Sequence, residues 1–266
     1  MTHLPGIIHN PWDKKTHVLW SSTPENKAII FVHGFSGNYS SWGGFPEMIV
    51  QNKKFKGYDI FIMEYSWEDR AELTGATFRE FLTALFSDRK EVTDTSTPPF
   101  ERDENYKQII IAAHSLGAIV ARVALLSAYK DKVDWLDKTK LMLYAPAHNG
   151  ANIIQLAAST LGALGSIGEA LPSIFKLRFP SLIDLETNTS KVIDRLRNET
   201  KQLLSQGKGD FTKARSVLFG GKDRIVDPSP FGEDAEIISI PGIGHSEICK
   251  PTTYFSKPFK VLEKNL

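Results

Sequence analysis

The chain has 266 residues, 41% of them hydrophobic, and a formal net charge of +1; that length can bury a sizeable core and favours one α/β unit with an insertion over two separate units. Lys and Arg nearly balance Asp and Glu, so there is no bulk attraction to nucleic acid or to anionic lipid, and neither partner is expected. Cys249 is the one cysteine, which excludes an intrachain disulfide and an all-cysteine metal site and leaves a small buried hydrophobe as its plain reading.

In chain order, "MTHLPGIIHNPWDKK" lacks the basic start and continuous apolar stretch of a secretory signal, and a cytoplasmic location is expected. His3, His9 and His17 come before the first strand cluster and read as peripheral. Aliphatic runs suited to buried strands follow at Ala28–Val32, Tyr58–Tyr65, Gln108–Ala113, Leu141–Ala145, Ser216–Phe219 and Glu236–Ile240. In "TFREFLTALF", Phe78, Phe81, Leu82 and Leu85 share one helical face that can cover a sheet. "SDRKEVTDTSTPPFERDEN" is polar, carries Pro98-Pro99 and reads as an exposed loop. Strands alternating with helices predict a mostly parallel sheet with helices on both faces.

Ala151–Leu182 stands apart, because small and apolar residues dominate it and Ala151–Ile167 carries no charge. Gly162, Gly165, Gly168 and several hydroxyl residues leave it too weakly hydrophobic for a membrane span. It reads instead as a helical lid over an apolar pocket, with an ordinary internal helix pair as the other option. "LIDLETNTSKVIDRLRNETKQLL" then resumes as a charged amphipathic helix with Val192, Leu196 and Leu203 facing inward. The expected organisation is a single domain over 1–266 with a cap insertion at about 151–205.

"KQIIIAAHSLGAIVARVALL" joins a strand to a helix through Ala113-His114-Ser115-Leu116-Gly117. A serine nucleophile needs exposure, a nearby base and backbone donors for an oxyanion, and a sharp strand-to-helix turn supplies the first and part of the third. Such a turn demands small residues two before and two after the serine, which Ala113 and Gly117 provide, although alanine replaces the usual glycine. Five residues alone do not separate this reading from a serine that simply caps a helix.

With "FVHGFSGNYSSW" before it and "GGKDRIVD" and "GIGHSEI" after it, "AHSLGA" resembles the corresponding segments of the α/β hydrolases, in the family order serine, acid, histidine. The resemblance runs from about Ala28 to Lys250. "APAHNGA", "DLETNTSKVIDRL" and "HSEICKP" look more narrowly like the lipase-like serine esterases that include GPI-inositol deacylase-like and serine-active-site-containing proteins.

The resemblance implies an α/β-hydrolase fold, oxyanion donors at the amides of Phe35 and Leu116, and an acid where Asp223 stands, with Asp227 as the alternative. The turn after Val32 carries Gly34, which lets backbone N–H groups converge on a carbonyl oxygen. His245 follows the last strand, after Gly242 and Gly244, which permit a turn back over the sheet, and is the expected general base. His33 and His114 are expected to support and pack, and His148 to line the pocket at most. No phosphate loop, dinucleotide fingerprint or paired-histidine zinc helix competes, and "GALGSIGEA" follows no strand.

The expectation is therefore a serine hydrolase of carboxylic esters working through Ser115, His245 and Asp223, with no metal and no cofactor. The apolar stretch with Ile153, Ile154 and Leu156 suggests a lipid or long-acyl ester, and peripheral membrane contact is compatible with it. The same residues also permit thioester hydrolysis or acyl transfer, and a noncatalytic binding module is the rival from another class.

Overall fold

In the computed structural model, which describes residues 3–9, 15–87, 106–161, 179–187 and 190–266, eight strands pair into one sheet. They are β1 (His3–His9), β2 (Lys15–Ser21), β3 (Lys27–Val32), β4 (Tyr58–Met63), β5 (Gln108–His114), β6 (Thr139–Tyr144), β7 (Ala214–Gly220) and β8 (Ile237–Ile240), in the spatial order β1-β2-β4-β3-β5-β6-β7-β8. β1 pairs with β2 and β2 with β4 antiparallel, and every pair from β4 through β8 is parallel. Ala28 to Val32, Ile60 to Met63, Ile109 to Ala113 and Leu141 to Tyr144 are buried residue after residue. Continuous burial means the sheet is covered on both faces, which is why these strands read as unbroken aliphatic runs rather than as alternating patterns.

Every aliphatic run identified in the sequence is a strand, with ends displaced by one to two residues at most positions. The N-terminal hairpin is the addition. His3 is not peripheral: it is buried in β1 and its Nε2–H donates to the Tyr58 carbonyl at 2.8 Å. Pro5 is tolerated there because β1 lies at the sheet edge, where a missing N–H interrupts no ladder. At the opposite edge, β8 is only four residues long and none of them is fully buried.

The helices are α1 (Phe45–Gln51), α2 (Ala71–Ser87), α3 (Leu116–Lys130), α4 (Ile153–Leu161), α5 (Ser181–Asp184), α6 (Lys191–Ser205) and α7 (Lys257–Lys264). α2 packs on α3 through the expected face, with Phe78, Phe81, Leu82 and Leu85 all buried. α1 and α7 meet through Phe45 and Phe259, whose ring centroids are 5.8 Å apart. The amphipathic segment expected to run unbroken from Leu182 is in fact two helices. Ser190 breaks it: its Oγ–H donates to the Asp184 carbonyl at 2.6 Å, and the same Oγ accepts from the Ile193 amide at 3.2 Å as the N-cap of α6. Val192 and Leu196 are buried as expected and Leu203 is half-buried.

Of the apolar insertion, α4 and the returning α5 are described. Ile153 and Leu156 face inward, whereas Ile154 is 56% exposed. The glycine-bearing "GALGSIGEA" lies outside the described residues, as does nearly all of the polar loop before β5. The returning end is fastened to the start of α2, where the buried Asp184 carboxylate accepts from Arg70 Nε at 3.0 Å and from the Ala71 amide at 2.7 Å. Among the described residues, no helix is long and apolar enough to cross a membrane.

On α3, Arg122 is buried and pairs with Asp234, donates from Nη1 to the Thr212 carbonyl at 2.9 Å, and lies 4.3 Å over the Phe231 ring. Removing one partner of a buried charge pair strands the other in a low-dielectric interior. Asp234→Ala is therefore expected to cost about 3–5 kcal/mol of stability, read as a lowered urea midpoint by tryptophan fluorescence.

Candidate active site

β5 ends and α3 begins at Ser115 with no intervening loop, and the chain makes this junction by placing Ser115 at φ 52°, ψ −119°. A non-glycine residue in that region is strained. The surrounding backbone fixes it: the Ser115 amide donates to the Tyr144 carbonyl at 3.1 Å, and its carbonyl accepts from the Ala118 and Ala147 amides at 3.0 and 3.2 Å. Ser115 occupies the N-cap position of α3, yet its side chain makes no capping hydrogen bond. Its Oγ is turned instead toward His245.

The Ser115 hydroxyl lies 3.0 Å from His245 Nε2, and His245 Nδ1 lies 2.8 Å from Asp223 Oδ2. A carboxylate only accepts, so Nδ1 carries the proton and Nε2 is left as the acceptor for the serine hydroxyl. The other Asp223 oxygen accepts from the amides of Ile225 and Val226 at 2.8 and 3.4 Å, which fixes the carboxylate's orientation. The loops carrying acid and histidine are joined directly, since the Lys222 amide donates to the Ile243 carbonyl at 2.9 Å. Asp227 is elsewhere: its Oδ1 accepts from the Ser229 amide and hydroxyl at 2.9 and 2.6 Å, a local turn contact.

Close approach explains the small residues around the serine. A Cβ built on Gly117 would stand 2.4 Å from the His33 carbonyl oxygen, and one on Gly34 would stand 2.8 Å from the Ser115 Cβ. The loop after β3 is thereby pressed against the strand-to-helix turn. Leu116 opens α3, so its amide is a first-turn donor without an intrahelical acceptor. Phe35 sits between Gly34 and Ser36, the latter at φ 54°. Below this loop, Trp42 is fully buried against Phe31, Phe45 and Tyr144.

The remaining histidines hold structure. His33 Nδ1–H donates to the Gly34 carbonyl at 2.9 Å, its ring stacks on Tyr65 at 4.2 Å, and the Tyr65 hydroxyl donates to the His33 carbonyl at 2.7 Å. His114 Nε2–H donates to the His245 carbonyl at 3.1 Å, tying the histidine loop to β5. His148 is buried against Phe231, with ring centroids 4.9 Å apart, 3.8 Å from Asp234. Tyr65 and the tethering use of His114 carry no motif of their own; the sequence signal for Tyr65 is its place as the last residue of the aliphatic run Tyr58–Tyr65. Among the described residues, no cluster of His, Cys, Asp and Glu could hold a metal ion.

Phe35 also joins an aromatic cluster with Trp67 and Phe179, at centroid distances of 4.8 and 5.7 Å, and Trp67 and Phe179 are themselves 5.2 Å apart. Phe179 lies two residues before α5, so the returning end of the insertion touches the loop beside the serine.

A family model described as "Putative serine esterase (DUF676)" matches residues 22–200. The matched stretch contains Ser115 and stops before β7, so Asp223 and His245 lie beyond it. Among solved structures, the chain is similar to a mature lipase from Bacillus licheniformis, at TM-score 0.60 and 16% identity over 96% of each chain. It is also similar to carboxyl esterase 2 from the mycorrhizal fungus Tuber melanosporum, at TM-score 0.61 and 12% identity over 100% of this chain and 84% of that one. A carboxylesterase from Bacillus subtilis matches at TM-score 0.53 and 12% identity over 100% of this chain and 90% of that one. No curated protein matches the chain at a significant level. The fold is that of the α/β hydrolases.

Burial holds His33, His114 and His148 neutral, lowering His33 from 6.5 to about 4 and the other two well below their ordinary value. Above pH 6.5 both folded and unfolded chains carry these rings neutral and nothing is lost. As pH falls below 6.5 the unfolded chain binds protons that the folded chain refuses, so stability drops until the folded rings also protonate. His33 alone accounts for roughly 3 kcal/mol between pH 6.5 and about 4. The urea midpoint should fall steadily over that window, and a flat profile would contradict the neutral burial of these rings.

Proposed function

Because the chain belongs to the DUF676 family of serine esterases, we propose that it hydrolyses carboxylic esters through an acyl-enzyme on Ser115, with His245 as general base and Asp223 as its orienting acid. The observation that carries this reading is the continuous hydrogen-bonded chain from Ser115 Oγ through His245 to Asp223, at 3.0 and 2.8 Å, rising from a serine held in a strained turn.

In this mechanism Ser115 Oγ attacks the acyl carbon while His245 Nε2 takes its proton. The carbonyl oxygen becomes an oxyanion that the Phe35 and Leu116 amides receive. Asp223 keeps Nδ1 protonated and offsets the imidazolium charge. Collapse of the tetrahedral intermediate breaks the bond to the alcohol, which leaves with the proton from Nε2. Water then repeats the steps on the acyl-enzyme and releases the acid. None of these steps calls for a metal or an organic cofactor.

An acyl ester of appreciable chain length is the favoured substrate class. Its support is the apolar surface beside the serine, made by Phe35, Trp67 and Phe179, together with the apolar α4. The whole is read as one catalytic domain with a cap insertion at about 151–205.

Hydrolysis of p-nitrophenyl esters of graded chain length tests the reading. Ser115→Ala is expected to lower kcat by about 10^4-fold or more and to abolish labelling by a fluorophosphonate probe, with folding unchanged by circular dichroism. Asp223→Asn is expected to lower kcat by about 10^4-fold, and Asp227→Asn to leave it within about twofold. A parent protein that neither turns over any chain length nor takes the probe would leave a noncatalytic binding module as the better description.

A further inference from the structure

Beside the apolar surface just described lies a cavity of a different character. It measures about 230 Å³, opens to solvent, and its lining includes Phe35, Asn38, Ser40, His114, Ser246 and Lys250. Its walls are the loops that serve the reaction: the loop after β3 that holds Phe35, and the segment that follows His245. His114, the residue before the nucleophile, forms part of its lining. Hydroxyl and amide side chains dominate it, and Lys250 is the formally charged side chain among the described residues lining it.

The notch is built rather than incidental. The loop wall is closed on itself by Asn38, whose amide donates to Ser41 Oγ at 3.0 Å and whose Oδ1 accepts from the Ser40 hydroxyl at 2.7 Å. The Lys250 stem lies flat on the turn at Gly43, where an added Cβ would meet Lys250 Cα and Cβ at 2.9 and 3.0 Å. The ammonium is thereby attached to a fixed base rather than to a swinging loop. The neighbouring carboxylate, Glu247, is turned to another task, accepting from the Gly244 amide at 2.6 Å. His114 spends its one N–H on the His245 carbonyl, so its Nδ1 is an acceptor, and it lies close to Gly34. The set therefore offers a cation, several hydroxyls and an imidazole acceptor.

The chemistry of ester cleavage says what would sit there. The alcohol oxygen must lie beside His245 Nε2 to receive its proton, and the next residue in the chain, Ser246, lines one wall of the notch together with Lys250. Phe35 borders both regions, with its ring in the apolar cluster and its residue also in the notch lining. An amphiphilic ester would thus divide at the serine, with its acyl chain on the aromatic side and its alcohol on the polar side. We propose that this notch is the subsite for the alcohol portion of the substrate and that it selects an anionic, hydroxyl-bearing alcohol, with Lys250 meeting the charge. The proposal rests on the esterase reading for its catalytic consequence, but not for the binding itself.

The test compares a medium-chain 1-acylglycerol with the corresponding 1-acylglycerol 3-phosphate, both below their micelle-forming concentrations. The intact protein should show a kcat/KM about tenfold to a hundredfold higher on the phosphorylated ester, the range of a charge-assisted hydrogen bond. That ratio should shrink with added salt. K250M should bring it near one, and K250R should retain most of it. Equal ratios in the parent and K250M, or no preference in the parent, would overturn the proposal. Calorimetric titration of the parent and K250M with sn-glycerol 3-phosphate separates this from the esterase reading. Binding that needs Lys250 in a protein that cleaves no ester would sink the esterase reading and keep the notch. Cleavage with no binding and a flat ratio would do the reverse.

Discussion

Ser115 holds a backbone conformation that an L-residue tolerates poorly, at a cost of order 1–3 kcal/mol, and the packing around it is what keeps the chain there. Its amide and carbonyl are both committed, to Tyr144 on one side and to Ala118 and Ala147 on the other. The Gly117 backbone is pressed on the His33 carbonyl, and Gly34 faces the serine's own Cβ. The elbow, the loop after β3 and the end of β6 are therefore one mechanical unit. None of them can shift by the width of a methyl group without displacing the others.

Two further ties bring the rest of the site to that unit. His114 reaches from β5 to the His245 carbonyl, and the Lys222 amide reaches the Ile243 carbonyl. Asp223, His245 and Ser115 come from three strand ends that would otherwise vary independently, and these two hydrogen bonds supply the registration. Beneath the loop after β3, Trp42 among Phe31, Phe45 and Tyr144 carries the same constraint into the core. Rigid aromatic packing suits this purpose because large rings lose little side-chain freedom on burial and leave few low-energy alternatives.

The central strands were legible because a parallel sheet covered on both faces needs unbroken apolar runs, and Ala28–Val32 or Ile109–Ala113 can do little else. Ser115, Asp223 and His245 stood out in the sequence because each follows such a run at a turn. What stayed hidden has physical reasons. Pro5 and Gly6 weaken the β signal of β1, which the sheet edge tolerates; in β2 the structure buries Thr16, Val18 and Trp20 in alternation, but the residues do not alternate polar and apolar to announce it. The helix break before Lys191 depends on Ser190 reaching back to Asp184, and charged amphipathic periodicity on either side conceals it. Arg122 and Asp234 are 112 positions apart, so no local pattern could pair them. The choice between Asp223 and Asp227 is likewise tertiary, since both follow the same strand.

The short edge strand β8 gives the site an uneven foundation. Ser115 stands on β5, in the fully buried centre, whereas Asp223 and His245 lie at the two ends of the chain segment that β8 threads through. A four-residue, half-exposed edge strand is the kind of element that opens locally at a fraction of the free energy needed to unfold the core. Against that, the His114 bond to the His245 carbonyl ties the histidine loop back to β5. Two of the three hydrogen-bonded side chains therefore depend on the hold of one marginal strand, whereas Ser115 rests on the centre of the sheet.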